Sequence, residues 1–270
     1  AINQRPVIGR SEPCSRVASP RMVVGEVIQL QYADVGEVQQ GLAAAIADGC
    51  QAIEVEVPTT NRFKDAALSQ IYEANTIYAR ELVRMFTQPA ELCMVFPDES
   101  ECKIALAEYG GQVPFSFSCL RKPNIQAPNV YYYMVMHPVF DVREYIQAEE
   151  LFREEVLPKG GSMVIFNGEL FKLRSGGVGG YYPDFFFPKL AKARQSLMPQ
   201  VHSAYYFRIF RGPPVGALYK KYPGPWQVLK AVQGETGVGG SSNAFEVLWE
   251  GDQQEPPKQD FVFQTLRASS

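Results

Sequence analysis

Residues 181–232 read YYPDFFFPKLAKARQSLMPQVHSAYYFRIFRGPPVGALYKKYPGPWQVLKAV. Within Pro183–Met198, the apolar residues Phe186, Leu190, Ala193 and Leu197 recur at helical spacing. Pro183 and Asp184 suit a helix start, and Pro199 stops it. Two runs rich in β-branched and aromatic residues follow, Ser203–Phe210 and Ala217–Tyr222, divided by Gly212-Pro213-Pro214. A third, Trp226–Val232, comes after the tight Tyr222-Pro223-Gly224-Pro225 turn. The stretch therefore predicts a helix and then an antiparallel meander. It is also basic: Lys189, Lys192, Arg194, Arg208, Arg211, Lys220, Lys221 and Lys230 face the single acid Asp184.

Upstream, strands and helices alternate. Asp34–Asp48 has Val38, Leu42, Ala45 and Ile46 on one helical face and is closed by Gly49. Ala52–Val57 (AIEVEV) reads as a strand, and Ala67–Phe86 as a long helix. Cys93–Phe96 is a short apolar strand, and Asp98-Glu99-Ser100-Glu101 opens a helix that ends near Tyr109. Val113–Ser118, Asn129–Met136 and Ser162–Phe166 follow as strands, with a helix over Val142–Val156 before the last. Phe245–Trp249 adds one more strand. Such alternation predicts an α/β fold: a mostly parallel sheet with helices on both faces, extended by the C-terminal antiparallel meander. The expected organisation is an extended N-terminal tail (residues 1–22), a single α/β domain (23–250) and a polar C-terminal tail (251–270) in which Phe261-Val262-Phe263 could dock.

Composition narrows the class. The 270 residues are 46% hydrophobic and 20% charged, as in ordinary globular proteins, and are enough to bury a real core. A net charge of -3 argues against a general nucleic-acid binder. No apolar run reaches the ~20 residues needed to span a bilayer, so a membrane association would be peripheral. Cys14, Cys50, Cys93, Cys102 and Cys119 are odd in number and form no CxxC pair, which fits buried thiols in a reducing compartment. The tail carries Arg5, Arg10, Arg16 and Arg21 against the single acid Glu12, a bias resembling an organelle transit segment or its remnant. As an alternative to a transit remnant, it is read as an arm lying on a partner surface.

Three sets of residues are candidate sites. In an open parallel sheet, ligands bind beyond the carboxyl ends of strands, which here carry Asp98, His137 and Asn167. The competing reading is that Asp98 and Asn167 cap a helix and a turn, while His137 merely precedes a proline. Gly177–Gly180 and Gly237–Gly240 repeat the word GVGG, but no GxGxxG, GKS or GKT accompanies them. With two histidines and no HExxH, GxSxG or paired Cys/His spacing, neither a metal, a cofactor nor a catalytic residue is predicted. The basic meander is the third set. Arg208, Arg211, Lys220, Lys221, Tyr222 and Trp226, with the four tail arginines, form the expected partner-binding surface, although core packing is the plainer reading of Trp226.

At the Tyr-Pro-Gly-Pro-Trp run the chain resembles a family of plastid and cyanobacterial proteins sharing a domain of unknown function. That family includes the Low Photosystem II Accumulation assembly factor of chloroplasts. The matching words are Ala43-Ala44-Ala45 to Gly49, Glu54-Val55-Glu56-Val57-Pro58, Asn75, Phe96-Pro97-Asp98 with Glu101, and Phe166-Asn167. They continue with Tyr205-Tyr206, Gly216-Ala217-Leu218 and Tyr222 to Val228. The resemblance implies a plastid location on the stromal side of the thylakoid. It also implies a non-catalytic role docking on photosystem II or a neighbouring thylakoid or antenna (phycobilisome-type) assembly, as assembly factor or connector. The alternative expectation is a nucleotide- or sugar-phosphate-binding enzyme using the Asp98, His137 and Asn167 crevice.

Overall fold

A computed structural model describes residues 24–30, 34–58, 67–110, 113–121, 123, 129–175, 180–210, 213–232 and 243–269. Residues 1–22, Arg211 and most of both GVGG words lie outside them.

One ten-stranded sheet organises the described chain, in the order β1-β10-β9-β8-β7-β2-β6-β5-β3-β4. Its parallel part comprises β2 (Ala52–Glu56), β3 (Leu92–Phe96), β4 (Ser116–Cys119), β5 (Tyr132–Met136), β6 (Ser162–Phe166) and β7 (Val201–Phe210). The meander β8 (Gly216–Lys221), β9 (Trp226–Ala231) and β10 (Asn243–Gly251) continues it antiparallel from β7. A short edge strand, β1 (Val27–Leu30), pairs with β10. The fold is thus α/β, with a mostly parallel sheet extended by an antiparallel portion.

Helices α1 (Val35–Ala47), α2 (Leu68–Leu82) and α3 (Glu99–Glu108) cover one face through Val38, Leu42, Ala79, Leu82 and Ala105. On the other face lie α4 (Val142–Leu151), α5 (Leu157–Lys159), α6 (Phe171–Arg174) and α7 (Pro188–Leu197), whose Tyr145, Leu151, Leu173 and Leu190 share a second core. A π-helical turn, Phe152–Val156, joins α4 to α5. The starts of α1 and α3 follow from their caps. The Asp34 and Asp98 carboxylates each accept two backbone N–H bonds, at 2.8 and 3.2 Å and at 2.8 and 3.0 Å. Gly41 lets α1 press on β7, since a Cβ there would stand 2.4 Å from the Ala204 carbonyl oxygen.

Register shifts once between β2 and β7. Glu54 pairs with Ser203 but Val55 with Tyr205, so Ala204 is an extra residue. Ser203 and Tyr206, three apart, consequently lie on one face of the sheet, while Tyr205 and Phe207 enter the opposite core.

Three expectations change. Helix α7 begins at Pro188, not Pro183, because proline is favoured at the first helical position and holds the preceding Phe187 out of the helix. Phe186 is accordingly exposed rather than inward, and Asp184 pairs with Arg194 at 2.9 Å. Strand β1 was not expected. The C-terminal stretch is not a polar tail: α8 (Gln259–Ala268) lays Val262 and Leu266 on Tyr206, Phe210, Leu218, Trp226 and Val228.

This helix is integral to the domain. Leu266→Ala is expected to lower unfolding stability by about 2–4 kcal/mol in a denaturant titration, as for other buried Leu truncations. A loosely attached tail would give no change.

Candidate functional site

The sequence-predicted crevice is filled by the chain itself. Asp98 caps α3. The Asn167 side chain accepts from the Val57 backbone N–H at 2.7 Å and donates to Asn75 Oδ1 at 2.8 Å, tying the end of β2 to α2. His137 is buried with its ring stacked on Tyr72 at 4.3 Å, and its Nε2 lies 3.1 Å from Glu101 Oε2. Its backbone N–H reaches the Phe166 carbonyl, so His137 and Asn167 are neighbours. Both have left-handed backbone, φ 32° and 49°. Tyr72 and Asn75 of α2 cover the strand ends, and the three side chains serve as fastenings between strands and helices.

Nor does the basic meander present one surface. Trp226 has no exposure, and its indole N–H donates to the Gln254 carbonyl at 3.3 Å. Lys220 is buried with its ammonium 5.0 Å from the Trp226 ring, and burial pulls its pKa down. Lys221 pairs with Glu37 at 2.5 Å, and the Tyr222 hydroxyl donates to Asp48 at 2.8 Å. The physical reason is that both sides are covered: α8 lies over the face that carries Lys220 and Trp226, and α1 with its C-cap Asp48 holds Lys221 and Tyr222 on the other.

What the sequence reading missed is the polar floor under that same face. Glu54, on the central strand β2, has no exposure. Arg174 grips it with two nitrogens, at 2.9 and 2.7 Å, and the Ser203 hydroxyl donates to it at 2.5 Å. Burial works against the Arg174 charge, but Glu54 more than offsets this and holds the guanidinium protonated. Glu56 lies two residues on, opposite Tyr206 in register, and accepts the Glu169 N–H at 3.2 Å. Burial, then the charges of Glu54 and Glu169, push its carboxyl up to about 8, opposed by the nearby Arg208. The legible signal was AIEVEV itself: once the strand is central and both faces are covered, Glu54 becomes fully buried and Glu56 partly so.

Above this floor, between α8 and the segment around α6, opens a cleft of about 670 Å³. Tyr206, Arg208 and Phe210 of β7 line one wall, Phe171, Arg174 and Tyr181 a second, and Glu255 to Asp260 the rim. The Arg208 guanidinium lies 3.4 Å from the Phe171 ring centroid. Among the described residues it has no carboxylate at ion-pair distance.

A different feature marks the carboxyl edge of the sheet. The loops that follow β5 and β6 expose Phe140 (63%), Tyr181 (62%), Phe185 (88%) and Phe186 (72%). Lys189 and Lys192, exposed on the first two turns of α7, follow the Phe pair in the chain. No group of three or more potential metal ligands occurs among the described residues, and none of their helices is long and apolar enough to cross a membrane.

Two outcomes follow from the floor. Arg174→Ala leaves Glu54 buried and unpaired, so unfolding stability should drop by about 3–5 kcal/mol, while Glu54→Leu/Arg174→Met restores most of it. Glu56 is protonated in the folded chain between its ordinary value of 4.5 and about 8. Its stabilising neutral form is therefore fully present below 4.5 and lost as pH rises through about 8. Glu56→Gln should match the parent at acid pH and exceed it by on the order of 5 kcal/mol at alkaline pH in chemical unfolding; equal pH profiles would contradict this.

A family model described as a domain of unknown function (DUF1995) matches residues 33–260. No curated protein matches the chain, and no solved structure does. The matched span runs from the start of α1 into the first turn of α8, and so takes in the buried floor, both walls of the cleft and its rim. The chain belongs to the DUF1995 family.

Proposed function

We propose that this protein is a non-catalytic plastid docking protein. It would sit on the stromal side of the thylakoid, against photosystem II or an adjacent antenna assembly, as assembly factor or structural connector. The location and the photosynthetic partner come from the family resemblance. The observation that supports docking is the carboxyl edge, where Phe185 and Phe186 meet edge to face, ring centroids 5.4 Å apart, and both are exposed. Large aromatic side chains are what protein interfaces bury at their centres, and here they stand free beside exposed lysines. The docking surface is thus moved from the basic meander, which is largely internal, to this edge.

Each Phe fully buried in an interface contributes roughly 1.5–3 kcal/mol, and 1.4 kcal/mol is tenfold in affinity. A tagged chain recovered from gently solubilised thylakoids should carry a photosystem or antenna fraction with it. Phe185→Ser/Phe186→Ser should reduce that recovery at least about tenfold without lowering the melting temperature, since both rings are solvent-exposed. Recovery of the parent chain solely as a free monomer would sink the proposal.

A further inference from the structure

The cleft between α8 and residues 171–175 and 180–181 has the size of a small-molecule site, and two of its cations are held in no ion pair. Pockets for such ligands commonly enclose ~300–1,000 Å³, so about 670 Å³ falls in the range. Arg174 is committed to Glu54, with Glu255 acting on it from the rim. Asp260 stands in the first turn of α8, where the helix dipole favours a carboxylate. Arg208 on the wall and Lys258 on the rim make no ion pair with any described carboxylate, so their charges are available to a ligand.

The setting of Arg208 is specific. One face of its guanidinium lies on Phe171, and Phe210 is 5.3 Å away, so the aromatic rings hold the group flat. Among the described residues no carboxylate, carbonyl or hydroxyl accepts from its N–H edge. A guanidinium stacked on a ring with its donors free is pre-organised for two-point recognition of an oxyanion. Glu56 does not neutralise it, being uncharged near neutral pH. The remaining wall is apolar and aromatic, formed by Phe171, Tyr181, Phe210 and Leu218.

We infer that this cleft binds a small organic phosphate, its phosphate received by Arg208 and Lys258 and its body packed on the aromatic wall. The site does not depend on the docking edge, and it is distinct from the strand-end crevice that the chain fills itself.

Isothermal titration of the full chain with AMP, ATP and ribose 5-phosphate, with citrate as a carboxylate comparison, tests it. At least one phosphate ester should bind with a dissociation constant below about 1 mM and more tightly than citrate. Arg208→Gln should weaken it at least about tenfold, the scale of one charge-assisted hydrogen-bond pair. Lys258→Ala, on an exposed side chain, should weaken it by roughly threefold, and it carries the test should the Arg208 variant fail to fold. Affinity should also fall as pH rises through about 8, when Glu56 ionises beside Glu54, Glu169 and Arg208, and Glu56→Gln should abolish that fall. Phe185→Ser/Phe186→Ser should bind as the parent does, which separates this site from docking. Absence of saturable binding by every ester, tighter binding of citrate, or equal affinity in the Arg208 and Lys258 variants would overturn the assignment.

Discussion

The structure turns on the Glu54 carboxylate, which lies without solvent exposure in the middle of the sheet. A buried carboxylate is tolerated only when its oxygens are fully paired, and the chain pairs them with Arg174 from beyond β6 and Ser203 from β7. The pairing spans 120 residues to Arg174 and 149 to Ser203. It therefore fixes where α6 lies and holds β7 against β2. It also sets the width of the cleft, because Arg174 is both the partner of Glu54 and part of the wall.

The two sides of the sheet are finished differently. Against α1, α2 and α3 the face is a continuous apolar core from Ile53 and Val55 to Phe245 and Val247. Against the later helices it is interrupted: α4 and α7 cover the parallel half, α8 covers the meander, and the ionisable floor lies between. Lys220 shows how the second half closes over charge, lying on Trp226 rather than reaching water. Binding capacity and docking capacity are thereby kept apart. The first is a polar gap between two helical layers; the second is an aromatic fringe on loops beyond the strand ends.

Much of the architecture was legible because its signals are periodic. The apolar spacing of α1, the caps at Asp34 and Asp98, and the unbroken apolar runs of β3 and β6 each act within a few residues. The misreadings share a cause, since each needed knowledge of what lies across space. Pro183 and Pro188 both suit a helix start on paper, and the pairing of Asp184 with Arg194 goes with the second. The Pro-rich Glu255-Pro256-Pro257 run masked the i, i+4 pair of Val262 and Leu266 just beyond it. Asp98, His137 and Asn167 were correctly placed at strand ends, but that Tyr72 and Asn75 would cover them depends on the course of α2. Lys220 looked available because a meander usually keeps one wet face, and α8 removes it, whereas Trp226 is in the core as its plainer reading had it.

The extra residue at Ala204 governs parity along β7. Before it, odd-numbered side chains such as Val201 and Ser203 point to the later helices; after it, even-numbered ones such as Tyr206 and Phe210 do. Losing one residue there would exchange inside for outside over half the strand, sending Arg208 into the apolar core and Phe207 into the cleft. Length between Val201 and Phe210 is for that reason not free to drift. Among descendants of this fold, a gain or loss in β7 should survive only in twos, or together with a matching change that restores the phase.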